Sequence, residues 1–477
     1  MNHNYYSQND SKKRNGARHA KNTRSRTYAS TRSRSNSRSA SSTRNSRAST
    51  MRRRQATTTR KRTTSRRSNS YRSHRKNETR KLNYKKVFIF LIIIFLLIYL
   101  PISKNIPHTL EKISTEITTS YAEPQEPVEP QPTSTTINMA VIGDIMCHAS
   151  NFQDAYDSSS NTYDFSHFFT EVKGYIQNAD ISIGNLETTF AGKDSGYTGY
   201  PTFNSPEQLA QNIKDIGLDV VSTANNHSLD KRYAGLVSTL DELDKVGISH
   251  TGTYRSSEEQ NTILTQDVNG IKIAFLSFTY GTNGIPVPDG KEYCINLIDE
   301  DLMLDQISKA KALNPDIICV SMHWGIEYKL KQNATQENLA DFLFKNGVDI
   351  ILGSHPHVLE PMEKRTITLE DGTTKDGFVI YSLGNFMSAQ VIENTMNTII
   401  LQLQITKHAD GSVTLDSYNY IPIYMYDKGA GQENRFIILD IDKTLTAYES
   451  GDTSISENLY NTLKSARNKI ENTLVNN

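Results

Sequence analysis

The chain is 477 residues long with a formal net charge of +1, a figure that hides two oppositely charged regions. Residues 1–86 hold 27 Lys/Arg against two acids, Asp10 and Glu78, a balance of +25; the remainder holds 26 basic and 50 acidic residues, a balance of −24. Such a split excludes one compact globule and argues for separate environments along one chain.

Residues 1–86 are nearly all Ser, Arg, Thr, Asn and Lys, without the apolar periodicity that could offset the entropy of folding, so they read as a disordered basic cytoplasmic tail. Strings such as TRSRSNSRS admit three roles: nucleic-acid binding, attraction to anionic lipid or polymer, and a solvated topogenic tail. No base-stacking pattern of aromatics runs through them, and an apolar segment follows directly. Attraction to membrane lipid, at about 1 kcal/mol per surface Lys/Arg, is therefore favoured over nucleic acid.

Residues 87–102, VFIFLIIIFLLIYLPI, are sixteen apolar positions without a charge. They predict one transmembrane helix, at the short end of the roughly 20 residues a bilayer needs. A core helix would not follow a disordered tail, and a signal peptide would need a short leading region and a small-residue cleavage site. The basic excess on the N-terminal side places the tail in the cytoplasm and the rest outside. Three widely spaced cysteines, Cys147, Cys294 and Cys319, make no disulfide framework, which points to a bacterial cell surface. Residues 103–136, rich in Thr, Pro and Glu, read as an extended linker.

From 137 onward strand-like runs (137–143, 180–185, 219–224, 271–278, 316–324, 348–354 and 378–384) alternate with helix-like stretches (about 163–178, 206–217, 231–246, 300–313 and 335–346). This alternation implies an α/β domain with mixed sheet covered by helices, spanning 137–425. A strand and a polar helix close the chain over 426–477.

Polar residues cluster where those strands end. Asp144, then Asn185 and Glu187, then Asn226 and His227, then His323, then His355 and His357 follow five of the runs. Sites in open α/β sheets form at the carboxyl ends of strands, so these residues are expected along one edge of one sheet. Oxygen and imidazole donors without a thiolate suit Mn, Fe or Zn. Taken singly, each is more often a turn residue or a satisfied polar group; taken together they are not. His167 is expected to pack or cap, and His250 is ambiguous.

The series GDIMCH, GNLETTF, STANNHSLD, MHWGIEY, GSHPHV and YSLGNF, over about 137–390, resembles the CapA-type poly-gamma-glutamate capsule biosynthesis family, itself similar to the calcineurin-like metallophosphoesterases. The resemblance implies a metallophosphatase-like sandwich of mixed sheets flanked by helices, holding one or two divalent metals. It implies Asp144 and His357 on the first metal, Glu187 bridging, and Asn226, His323 and His355 on the second. It further implies His227 as catalytic acid or phosphate contact, with Asn185 beside it among the catalytic residues and Trp324 shaping the pocket. Two departures stand out. Met146 occupies the place of a histidine ligand, leaving His148 as a substitute if the loop curls, and Glu187 stands where the enzymes carry Asp.

Three functions are compatible with this reading. The first is a single-pass membrane protein whose external domain works in the synthesis, export or anchoring of an anionic capsule polymer. The second is a metal-dependent envelope hydrolase acting on a phosphoester or amide. The third is a non-catalytic scaffold recruiting membrane synthase subunits. A domain of charge about −24 would not draw in an anionic polymer by its net field, so polymer contact must be local, through the metals or a basic patch.

Overall fold

The computed structural model describes residues 84–99, 133–369 and 372–475. The basic tail up to 83 and the linker up to 132 lie outside the described residues. The apolar segment forms a helix, Tyr84–Tyr99, on which Phe88 to Phe95 are all exposed. Sixteen residues rise only about 24 Å, against a hydrocarbon core of about 30 Å. No helix among the described residues is long and apolar enough to cross a membrane, so the expected spanning helix is not met there.

The rest forms two mixed sheets packed face to face and flanked by helices, the expected α/β class. The strands in chain order are β1 (Thr135–Ile145), the short hairpin β2 (Tyr156–Asp157) and β3 (Thr162–Tyr163), β4 (Ile181–Leu186), β5 (Val220–Ser222), β6 (Ser249–Thr251), β7 (Leu264–Val268) and β8 (Ile271–Thr279). There follow β9 (Ile317–His323), β10 (Ile350–Ser354), β11 (Met362–Thr368), β12 (Thr374–Ile380), β13 (Asn385–Met387), β14 (Asn397–Lys407), β15 (Val413–Asp427) and β16 (Phe436–Asp440). The first sheet runs β16-β15-β14-β1-β4-β5-β6, with β13 also paired to β1; the second runs β11-β12-β10-β9-β8-β7.

Side chains alternate across each strand, and that alternation builds the layers. On β1, Ile137, Met139 and Val141 join Ile273, Ile317 and Ile350 of the second sheet in the core between the sheets. Ala140 and Ile142 face the other way and join Ile176 of the helix Lys173–Gln177 in a second core. On β9, Ile318, Val320 and Met322 pack outward against the helices Glu300–Ala312 and Ala334–Lys345. The C-terminal strand and helix join the same body: β16 extends the first sheet, and Leu463, Ala466 and Ile470 of the helix Glu457–Val475 sit in the core between the sheets.

One long helix expected over 163–178 is instead a 3-10 turn, Ser166–Phe169, and the short helix Lys173–Gln177. Phe165, Phe168, Phe169 and Val172 are all buried, so four apolar side chains are accommodated by a chain that changes direction rather than by one helical stripe.

Candidate metal centre

The strand ends expected to share one sheet edge belong to two sheets. β1, β4 and β5 end at the site from the first sheet, and β9 and β10 end there from the second. The residues converge across one end of the sandwich because both sets of parallel strands point their carboxyl ends the same way.

Local backbone brings them within reach. Gly143 passes so close to the turn before β13 that an added Cβ would lie 1.9 Å from the Gly384 carbonyl oxygen. Asp144 N–H donates to that same oxygen at 2.9 Å, which sets Asp144 opposite Asn385 on β13 and Asn185 on β4. After β10 the chain turns sharply, and His355 and His357 adopt φ of 96° and 60°. Non-glycine residues rarely occupy that region, and strain of this kind persists where surrounding structure enforces it.

Asp144, Glu187, His323, His355 and His357 are all buried and form two overlapping triads, Glu187-His355-His357 and Asp144-Glu187-His323. His357 Nδ1 lies 3.2 Å from Asp144 Oδ2 and 3.1 Å from Asn385 Oδ1. His323 Nε2 lies 3.1 Å from Asn226 Oδ1 and 3.6 Å from Glu187 Oε1, while its Nδ1 shares a 2.8 Å hydrogen bond with Ser354 Oγ. Asn185 Nδ2 donates to Asp144 Oδ1 at 2.8 Å, and its own oxygen accepts from Ser222 Oγ at 2.8 Å. Asn185 thereby braces the carboxylate from behind.

The donor set fits a divalent metal on two counts. Glu187 Oε1 and His355 Nδ1 are buried without a hydrogen-bond partner, the condition of groups reserved for an ion. Burial, with Asp144 beside it, pushes the Glu187 carboxyl well above its usual range, and burial drives His323 well below and His355 down to about 3. Neutral imidazoles are the ligating form, and a cation is what would let Glu187 ionise there.

His227 lies beside the triads. Its Nδ1 is 2.7 Å from Asp230 Oδ2, which also accepts the Phe203 backbone N–H at 2.6 Å, and its Nε2 is 3.5 Å from Asn283 Nδ2. Phe203 stands edge-on to the ring at 4.7 Å. The imidazole is held in one orientation and can hold or pass a proton at Nε2. A metal bound here would supply the lowered pKa of a bound water and neutralise developing charge.

Trp324 does not shape the site. Its indole is buried in the core outside the second sheet, with Nε1 donating to the Tyr381 carbonyl oxygen at 2.9 Å. Met146 is buried in the β1 turn, its N–H donating to the Met387 carbonyl oxygen. His148 stays outside both triads: its Nδ1 accepts the Ala389 N–H at 3.3 Å and its ring meets Phe203 edge-on. His148→Ala is accordingly expected to leave metal stoichiometry unchanged on elemental analysis; loss of an ion would place it among the ligands. His167 and His250 pair with Asp154 and Asp244, away from the triads. Sequence reasoning missed Ser354, Asn385, Asn283 and Asp230. Of these, Asp230 carried a usable signal, three positions after His227.

Residues 138–390, just over half of the chain, match the family described as "Bacterial capsule synthesis protein PGA_cap". The chain belongs to this family. Capsule biosynthesis protein CapA of Bacillus anthracis is 29% identical over 289 residues, covering 59% of this chain and 66% of that one. PGA biosynthesis protein CapA of Bacillus subtilis (strain 168) is 34% identical over 200 residues, covering 42% and 50%. The chain thus spans slightly less than two thirds of one relative and half of the other. Among solved structures, calcineurin-like phosphoesterase YfkN from Bacillus subtilis is 15% identical with a TM-score of 0.37, over 71% of this chain and 99% of that one. NAD nucleotidase from Haemophilus influenzae is 12% identical with a TM-score of 0.38, over 71% and 61%. These two stand as likenesses only.

Proposed function

We propose that this protein works at the outer face of a bacterial cell membrane in the synthesis, export or anchoring of an anionic capsule polymer of the poly-gamma-glutamate type, through a divalent-metal site at the end of its sandwich. The observation that carries the reading is the shared, unpartnered oxygen of Glu187 between the two triads, in a chain that belongs to a capsule synthesis family. Manganese, iron or zinc suits the donors, and Asp144, Asn226, His323, His355 and His357 would complete the set around Glu187. The eight consecutive exposed apolar residues on the helix Tyr84–Tyr99 support membrane attachment, with Leu100, Pro101 and Ile102 continuing the apolar sequence. The basic tail would then lie against anionic lipid or synthase subunits in the membrane.

A second reading, a metal-dependent envelope hydrolase acting on a phosphoester or amide, is favoured by one feature. The His227–Asp230 pair is the arrangement of a proton-transfer group, which a scaffold does not require.

The full chain purified in detergent is expected to carry one or two metal ions per molecule on elemental analysis, and cells lacking it are expected to lose surface polymer. A deletion strain with unchanged polymer would overturn the capsule reading. Unchanged polymer in that strain, together with hydrolysis of envelope esters by the purified metal-bound protein, would move the assignment to the second.

A further inference from the structure

On the first sheet, far along β1 from Asp144, lies a groove of about 310 Å³. It is lined by the side chains of Asn138, Asn178, Gln402, Gln404, Ser417 and Asn419, with no charged residue among the lining. Strand register sets these groups in rows. Asn138 on β1 stands opposite Gln404 on β14, which stands opposite Ser417 on β15; one row on, Ala140, Gln402 and Asn419 align in the same way. These positions continue the face on which Ile142, Ile400 and Ile423 are covered, past the end of the helix Lys173–Gln177.

The amides are uncommitted. None of the five carboxamides, nor the Ser417 hydroxyl, has a side-chain hydrogen bond among the described residues, although neighbouring rows on a sheet face ordinarily pair with each other. A cluster of donors and acceptors turned into one concavity, in a region whose net charge is −24, is a neutral window in an acidic surface.

We propose that this groove binds a segment of an anionic polyamide, a chain repeating an amide bond and a free carboxylate. The proposal rests on the capsule-polymer reading above and adds a contact site separate from the metal centre. Carboxamides donate and accept, so they match amide N–H and C=O groups alike, and their NH₂ groups also donate to carboxylates. The absence of side-chain carboxylates from the lining removes the local repulsion that the rest of the domain would impose. The apolar faces of sugar rings would call for aromatic platforms, and Tyr175 is the single aromatic of the lining, with its hydroxyl already donated to Asp440. The volume is at the small end of ligand clefts, about 300–1,000 Å³, which fits a short stretch of a longer chain.

The test is titration of the detergent-purified full chain into a fluorophore-labelled γ-linked glutamate oligomer, with polyacrylate and a hyaluronan oligosaccharide as comparison probes. The titration is run at high salt, where attraction of any polyanion to the basic tail is screened, and there the oligomer is expected to bind in preference to both. Replacing Gln402→Glu together with Asn419→Asp is nearly isosteric at positions that are only partly buried or exposed, and is expected to weaken binding by at least about tenfold through like charge. Metal content serves as the control and is expected to stay at the wild-type level. Equal binding by the variant, or polyacrylate or hyaluronan binding as tightly as the oligomer, would overturn the proposal. The capsule reading has its own readout in the deletion strain, so either idea can fail alone: a variant strain with normal surface polymer beside a deletion strain without it sinks the groove and spares the function.

Discussion

Glu187→Gln is expected to empty the metal centre while making the metal-free protein more stable. Both triads use this one carboxylate, so its loss removes an anionic donor from each at once. Even residues that only support a ligand cost about 10–100-fold in metal affinity, so replacing the shared ligand should weaken binding by at least about 100-fold. Stability should move the other way. The folded protein pushes the Glu187 carboxyl well above its ordinary range, by burial first and by Asp144 second. An acid raised in this way stabilises the fold while protonated in both states and loses that contribution as pH climbs from the unfolded value toward the folded one. At neutral pH without metal, the fold therefore bears the cost of this group, and an uncharged amide of the same shape relieves it. Thermal unfolding in the presence of a chelator should show a higher midpoint for Glu187→Gln than for wild type, and added metal should raise only the wild type. Wild-type metal stoichiometry in the variant would remove Glu187 from the ligand set.

Much of this centre was legible because the chemistry sits where strands stop. Runs such as 316–324 and 348–354 are apolar almost throughout, as parallel strands buried on both faces must be, and the histidine at or just past the end of each, His323 and His355, marks the rim. What the runs could not reveal is which sheet each joins. Period-two alternation is the same in either sheet, and only crossover connections decide that β5 leads to β6 in the first sheet while β8 opens the parallel part of the second. The edge strands β7 and β11 were missed because their half-exposed residues lack an apolar run. Asn385 was missed as a site residue because its strand is three residues long and gains its position through a close backbone approach at Gly143 and Gly384. The resemblance puts Trp324 at the pocket, but the chain leaves β9 at His323 and the indole turns into the core outside the second sheet, where the Tyr381 carbonyl oxygen holds it. The carboxamide groove was invisible because its residues come from three strands and the end of the helix Lys173–Gln177, brought together by register and by the helix's packing.

The stability of the site loops should depend on pH through Glu360. This residue follows the His355–His357 turn by three positions, is fully buried, and accepts a 2.7 Å hydrogen bond from Gln336 Nε2 on the helix Ala334–Lys345. Gln336 in turn packs against Gly325, where an added Cβ would lie 2.9 Å from its amide nitrogen. Glu360 and Gln336 thus tie the turn carrying two histidines to the loop after His323. The other carboxyl oxygen has no partner, and burial lifts the group from an ordinary 4.5 to about 8, an effect the Gln336 bond only partly offsets. The fold keeps a proton that the unfolded chain gives up. Stability from this group is complete below pH 4.5 and declines as pH rises to about 8, where the folded protein also ionises. By pH 7 the cost is on the order of 3 kcal/mol. Glu360→Gln keeps the shape, can still accept from Gln336, and never ionises. Its unfolding midpoint should exceed the wild-type value clearly at pH 7.5, and the difference should shrink to nothing near pH 4.5. A gain of equal size at both pH values would mean that packing, not a retained proton, distinguishes the two chains.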